Sequence, residues 1–207
     1  MKYIKSIAYL LLAYFSFLLI QITIQYIPFN KDVAFLSIKQ HYIDVPFYIE
    51  TFYAHVYSAI FTVFVGFTQF SKSVRKKYPK VHKYIGWSYV IIVMCLAAPS
   101  GLYIGLYANG GLSSQISFLL LSIFWFSFTL LALLKIRKKD FISHRKYMIR
   151  SYALTLSAIT LRAWKYILVV LFEPKPMDIY IVVAWLGWVL NLIIAEYIIY
   201  KINKHET

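Results

Sequence analysis

The residues whose types and spacing best suit chemistry are two histidines in matching surroundings. Arg75-Lys76-Lys77 opens seven residues before His82, and Arg137-Lys138-Lys139 opens seven residues before His144. Lys83-Tyr84 and Ser88-Tyr89 follow the first, Lys146-Tyr147 and Ser151-Tyr152 the second. A neutral imidazole nitrogen is the commonest metal ligand, and two of them can hold one metal ion or one haem iron. Gly86, one turn beyond His82, leaves room for a flat macrocycle. Arg145 and Arg150 then fall near the propionates of such a group, and Arg150 has Glu196 at matching depth to neutralise it. The plainer reading makes each histidine a cap at a helix start, or a headgroup contact beside its basic neighbours.

A second constellation is His55, Ser100 and Arg162, expected at a common depth toward the opposite membrane face. A charge inside the hydrocarbon costs at least about 2.5–3.5 kcal/mol, so Arg162 needs a reason to be there. The functional reading is an outward-facing site for an anionic or quinone-like ligand. The plainer one is a hydrogen bond between helices, worth about 0.6 kcal/mol. At about 100° per residue, His144, Ser151, Thr155 and Arg162 share one helical face, and His82, Gly86, Tyr89 and Ser100 share another. Together they outline a polar seam through a bundle. The single cysteine, Cys95, excludes an intrachain disulfide and a CxxC metal site. No acidic metal cluster, GxGxxG, P-loop, HExxH or nucleophile elbow occurs, and no residue is assigned a catalytic role.

The elements that must position these residues are membrane helices. Of 207 residues, 61% are hydrophobic and 14% charged, against about 25% charged in a soluble domain. The net charge of +14 sits in short loops between apolar runs, which reads as membrane orientation rather than nucleic-acid binding. Roughly 20 apolar residues cross a bilayer, and the runs predict spans at about 4–27, 51–70, 84–107, 115–134, 147–172 and 179–200. The first follows Lys2 and Lys5 and is too long for a signal peptide. Residues 28–50 form the longest loop and are expected on the membrane surface. Pro99-Ser100-Gly101 predicts a kink. The basic loops at 71–83 and 135–146 and the tail with Lys201, Lys204 and His205 place both termini in the cytoplasm.

The spans repeat. Ala59-Ile60-Phe61 precedes Ser122-Ile123-Phe124 by 63 residues, as Lys83-Tyr84 precedes Lys146-Tyr147. Helices 2–3 and 4–5 are then two similar hairpins related by an axis along the membrane normal. This geometry puts His82 and His144 at equal depth.

Pro79-x-x-His82-x-x-x-Gly86, Ala98-Pro99-Ser100-Gly101, the run from His144 through Arg150-Ser-Tyr-Ala-Leu to Thr160-Leu-Arg162, and Trp185-x-x-Trp188-x-x-Asn191…Ala195-Glu196 together resemble a bacterial family of predicted membrane proteins, domain of unknown function 2306. The resemblance covers about 51–200 and implies an integral membrane protein, with no activity attached. A looser similarity is to membrane b-type cytochromes of the b561 and ferric-reductase kind, which place paired histidines on a core of four helices. Only the inner pair exists here, because the position 63 residues after His55 is Phe118. That similarity therefore implies one haem b.

The fold expectation is an all-α integral membrane protein with six transmembrane helices. Two similar hairpins make a four-helix core, flanked by helices 1 and 6, in a single domain over 1–207 of the bacterial inner membrane. The leading functional expectation is haem binding or membrane redox with a quinone or redox partner. A small-solute transporter or channel using His55, Ser100 and Arg162 is the second. A structural or accessory membrane protein is the third. Enzymatic activity is left open.

Overall fold

The structure is a computed structural model that describes residues 2–27, 29–70, 72–173 and 175–206. Pro28 and Ser71, where two of the expected loops open, and the side chains of Lys2, Lys5, Lys72 and His205 lie outside the described residues. Among the described residues all regular structure is helical: α1 Lys2–Ile24, α2 Tyr48–Gln69, α3 Lys72–Lys77, α4 Pro79–Ile92, α5 Ala98–Gly105, α6 Gly111–Arg137, α7 Phe141–Thr155, α8 Ser157–Phe172 and α9 Pro176–Glu206. Two 3-10 turns, Ala34–Ile38 and Gln40–Tyr42, lie between α1 and α2, and a π-helical turn, Val93–Ala97, joins α4 to α5.

Four stretches are long and apolar enough to cross a membrane: Tyr48–Gln69, Pro79–Gly105, Gly111–Arg137 and Met177–Lys204. The α7–α8 pair is a fifth, bent by 42°. In α1 the apolar part among the described residues is Ala13–Ile24, shorter than a bilayer crossing on its own.

Local chemistry explains where the helices depart from the predicted spans. Pro79 stands in the first turn of α4, where its missing N–H costs nothing, so the helix begins five residues before the predicted start at 84. Asp140 caps α7 by accepting from the Ser143 amide at 3.0 Å, which moves that start from 147 to 141. His82 and His144 are consequently each the fourth residue of a helix.

The middle of each outgoing helix is irregular at equivalent positions. In the first hairpin this is the π turn, ahead of Pro99, which has no N–H to give the preceding turn. Side chains use the carbonyls there: Ser100 Oγ donates to Leu96 O at 2.5 Å, and His55 Nδ1 lies 3.0 Å from Ala97 O. Sixty-three residues after Val93 comes Leu156, where α7 gives way to α8. Asn191 Nδ2 on α9 donates to the Ala153 carbonyl at 3.0 Å and to Thr160 Oγ1 at 2.9 Å, taking a backbone acceptor out of the helical ladder. Gly187 lets α9 come this close: a Cβ there would lie 2.9 Å from Leu161 Cβ. The predicted single helix 147–172 is therefore two. The face count that aligned His144 with Arg162 does not run through the break.

The two hairpins exchange tyrosines across the core. Tyr152 of the second hairpin donates to the Val63 carbonyl on α2 at 3.0 Å and covers Gly66. Tyr89 of the first is fully buried beside Trp125 and Ser151 of the second. The two rings meet edge to face, centroids 6.5 Å apart. Residues 29–47, expected on the membrane surface, pack as a cap on one end of the first hairpin: Leu36 is fully buried, and the Tyr42 and Tyr48 rings meet Tyr107, tilted and edge-on.

Candidate cofactor and ligand sites

The inner site forms where α4 and α7 begin. His144 Nδ1 lies 2.8 Å from the Ala132 carbonyl on α6. A carbonyl only accepts, so Nδ1 carries the proton and Nε2 carries the lone pair. This is the second-shell arrangement that orients a ligating histidine. The repeat equivalent of Ala132, 63 residues earlier, is Gln69, but the corresponding bond from His82 is not made. His82 Nδ1 is buried with no hydrogen-bond partner. Arg75 and then His144 act electrostatically on His82, so the two imidazoles stand within electrostatic reach of each other. Gln69 takes a place no histidine count pointed to: its Oε1 lies 3.1 Å from where a Gly86 Cβ would be.

The arginines behave differently from each other. Arg150 forks onto Glu196, Nε to Oε1 at 2.5 Å and Nη2 to Oε2 at 2.8 Å. Its guanidinium also lies over the rings of Tyr147 and Phe128, at 5.4 and 5.9 Å. Its charge is matched within the protein, so it is not left over for a propionate. Arg145 is exposed at the same end of the bundle. Asp140, the cap of α7, has its carboxyl held below the usual range, chiefly by the Ser143 amide and hydroxyl and then by Lys135 at 3.4 Å.

Above the inner site the seam is filled. Tyr89 Oη lies 2.8 Å from Ser151 Oγ and 2.7 Å from Thr155 Oγ1, and Trp125 Nε1 donates to it at 3.4 Å. Thr129 Oγ1 reaches Ser151 Oγ at 2.7 Å. All of these residues are buried. The network satisfies the midplane hydroxyls internally and leaves a closed core between the inner and outer ends.

The outer site gathers His55, Ser100 and Arg162. His55 Nδ1, donating to Ala97 O, is 3.4 Å from Ser100 Oγ. Gly101 makes room for the ring: a Cβ there would lie 2.9 Å from His55 Cε1. Arg162 acts electrostatically on His55, and Tyr26 and Tyr180 act on Arg162. Its Nη1 donates to Ala158 O, one turn back along α8, at 2.5 Å. The two tyrosines are not among the residues that the sequence singles out.

Lys39 was also missed. It is 2% exposed, donates from Nζ to the Tyr107 carbonyl and lies over the rings of Tyr42 and Phe35 at 5.0 and 5.5 Å. Burial lowers its pKa to about 8. Nothing in a loop lysine's sequence context marks it for burial.

The family model described as "Predicted membrane protein (DUF2306)" matches residues 52–199. No curated protein and no solved structure matches the chain.

Proposed function

Since the chain belongs to the DUF2306 family of predicted membrane proteins, we propose that it is a six-span protein of the bacterial inner membrane, both termini cytoplasmic, which holds one haem b between His82 and His144. The observation that carries the reading is the His82 Nδ1 atom, buried without a protein partner and within electrostatic reach of His144. A buried polar atom left unpaired costs about 1–3 kcal/mol, a penalty that ligation would remove. His144 fits the complementary role, with Nδ1–H on Ala132 O and Nε2 without a partner among the described residues. The space beside Gly86, one turn on, is taken by the Gln69 amide, which has to swing aside in this reading. Arg145, exposed at the same end of the bundle, is assigned to a propionate in this reading. Bound there, a haem supplies reversible one-electron transfer, and a quinone or a redox protein is the partner. Passage of a solute along the seam is disfavoured by the closed Tyr89–Ser151–Thr155 core.

The test is spectroscopic. Protein purified in detergent from haem-replete cells is expected to show a Soret band and a positive pyridine haemochrome. Both should be lost in His82→Ala and in His144→Ala, which still elute as folded protein. Colourless wild-type protein would sink the reading and favour an accessory role.

A further inference from the structure

The outer end holds a positive charge that the protein itself does not match. Arg162 stands on α8, which packs against α1, α2 and α9, with Tyr26 just beyond α1, His55 on α2 and Tyr180 on α9 as its electrostatic neighbours. Yet its side chain remains exposed. An arginine set among three other helices and still accessible is open to a ligand. Its Nη1 donates to the Ala158 carbonyl, one turn back along α8. The bond uses one of five guanidinium donors. Among the described residues no carboxylate pairs with Arg162. This contrasts with Arg150, whose charge is met by a bidentate glutamate.

The neighbouring groups add donors. Tyr26 Oη accepts from the Phe35 amide at 3.3 Å and gives its own proton to no described acceptor. Tyr180 Oη makes no hydrogen bond among the described residues and acts electrostatically on Arg162. A cluster of spare donors around an unpaired, accessible cation has the chemistry of an anion receptor. Arginine favours planar or tetrahedral oxyanions, which take two parallel N–H bonds.

We propose that Arg162, with Tyr26 and Tyr180, forms a binding site for an oxyanion, a carboxylate or phosphate group, at the end of the bundle opposite His82 and His144. The group belongs either to a small solute or to a lipid head reaching Arg162 from the membrane. The site is independent of the haem reading and stands or falls without it.

Thermal unfolding of the protein in phosphatidylcholine nanodiscs, titrated with phosphate and separately with acetate, tests the solute arm. The same protein in discs containing phosphatidylglycerol tests the headgroup arm. The wild type is expected to gain several degrees in Tm, saturably, in at least one arm. Arg162→Gln should weaken the apparent Kd by about tenfold or more, as for a charge-assisted bidentate contact. Tyr26→Phe/Tyr180→Phe keeps the charge, removes two hydroxyls and should weaken it about three- to tenfold. If Arg162→Gln does not fold, the double tyrosine variant carries the comparison. A shift with phosphate or acetate identifies a solute, and one seen only with phosphatidylglycerol a headgroup. Equal response in wild type and the folded variants, or no response of the wild type in any arm, overturns the proposal.

Discussion

At the residue scale the bundle treats three of its cations differently. Arg150 is neutralised by Glu196. Arg162 has one backbone carbonyl and no carboxylate among the described residues. Lys39, in the cap, has a carbonyl and two aromatic faces in place of a counter-ion. Aromatic faces attract a cation, but burial outweighs them and brings the Lys39 pKa to about 8 from 10.5. The sign follows directly. Between those two values the unfolded chain binds the extra proton and the folded chain does not, so stability rises as pH climbs through that window. Below about pH 8 both states are charged and the burial cost is felt in full. Lys39→Met should therefore abolish a stability gain between about pH 8 and 10.5, on the order of 2 kcal/mol after allowance for residual solvation. Tm measured against pH for both proteins checks this, and parallel curves would count against it.

At the element scale the hairpins are joined by close approach at glycine. A Cβ at Gly66 would lie 2.0 Å from Tyr152 Cε2, so α2 and α7 can pack here only without one. Gly66→Ala must displace a ring held by a hydrogen bond to Val63 and by contacts with Phe67 and Phe70. Overpacking of this kind costs about 1–3 kcal/mol. Tyr152→Leu in the same chain removes the clash, so the two substitutions together should cost less than the sum of their separate effects. A double-mutant cycle on thermal unfolding measures that coupling, and additive losses would show that the glycine is not needed for the contact. The bent α7–α8 pair has the opposite cause: no proline lies in it, and Asn191 from α9 takes the Ala153 carbonyl.

For the whole molecule, two ends differ in character. One carries the basic loops, the histidine pair and the Arg150–Glu196 fork; the other carries the aromatic cap, Lys39 and Arg162. Lys and Arg in short loops stay on the cytoplasmic side, so the first end is expected to face inward. Reporter cysteines in a Cys95→Ser background give the check. Those at Lys77 and Lys138 should resist an impermeant maleimide added to intact cells, while one at Asn109 should react. A reporter at Lys2 decides the role of α1: protection from the outside reagent is expected if α1 crosses the membrane, and reaction from outside would reduce the count to five spans.

The sequence by itself determined the membrane class, the positions of five long apolar stretches, the repeat and the residues worth watching. These follow from composition, from a 63-residue offset and from charges too costly to leave in lipid without cause. Helix starts were also written there, in Pro79 and Asp140, though apolar runs alone place them several residues late. Tertiary structure decided which polar groups satisfy one another. Whether Asn191 breaks α7 from α8, whether Arg150 is matched while Arg162 is not, and whether His144 finds Ala132 while His82 finds nothing all depend on atoms brought together from distant parts of the chain. Periodicity records which face of a helix is polar. It does not record what the neighbouring helix presents there, and in a low-dielectric interior that neighbour settles the energy of every buried polar group.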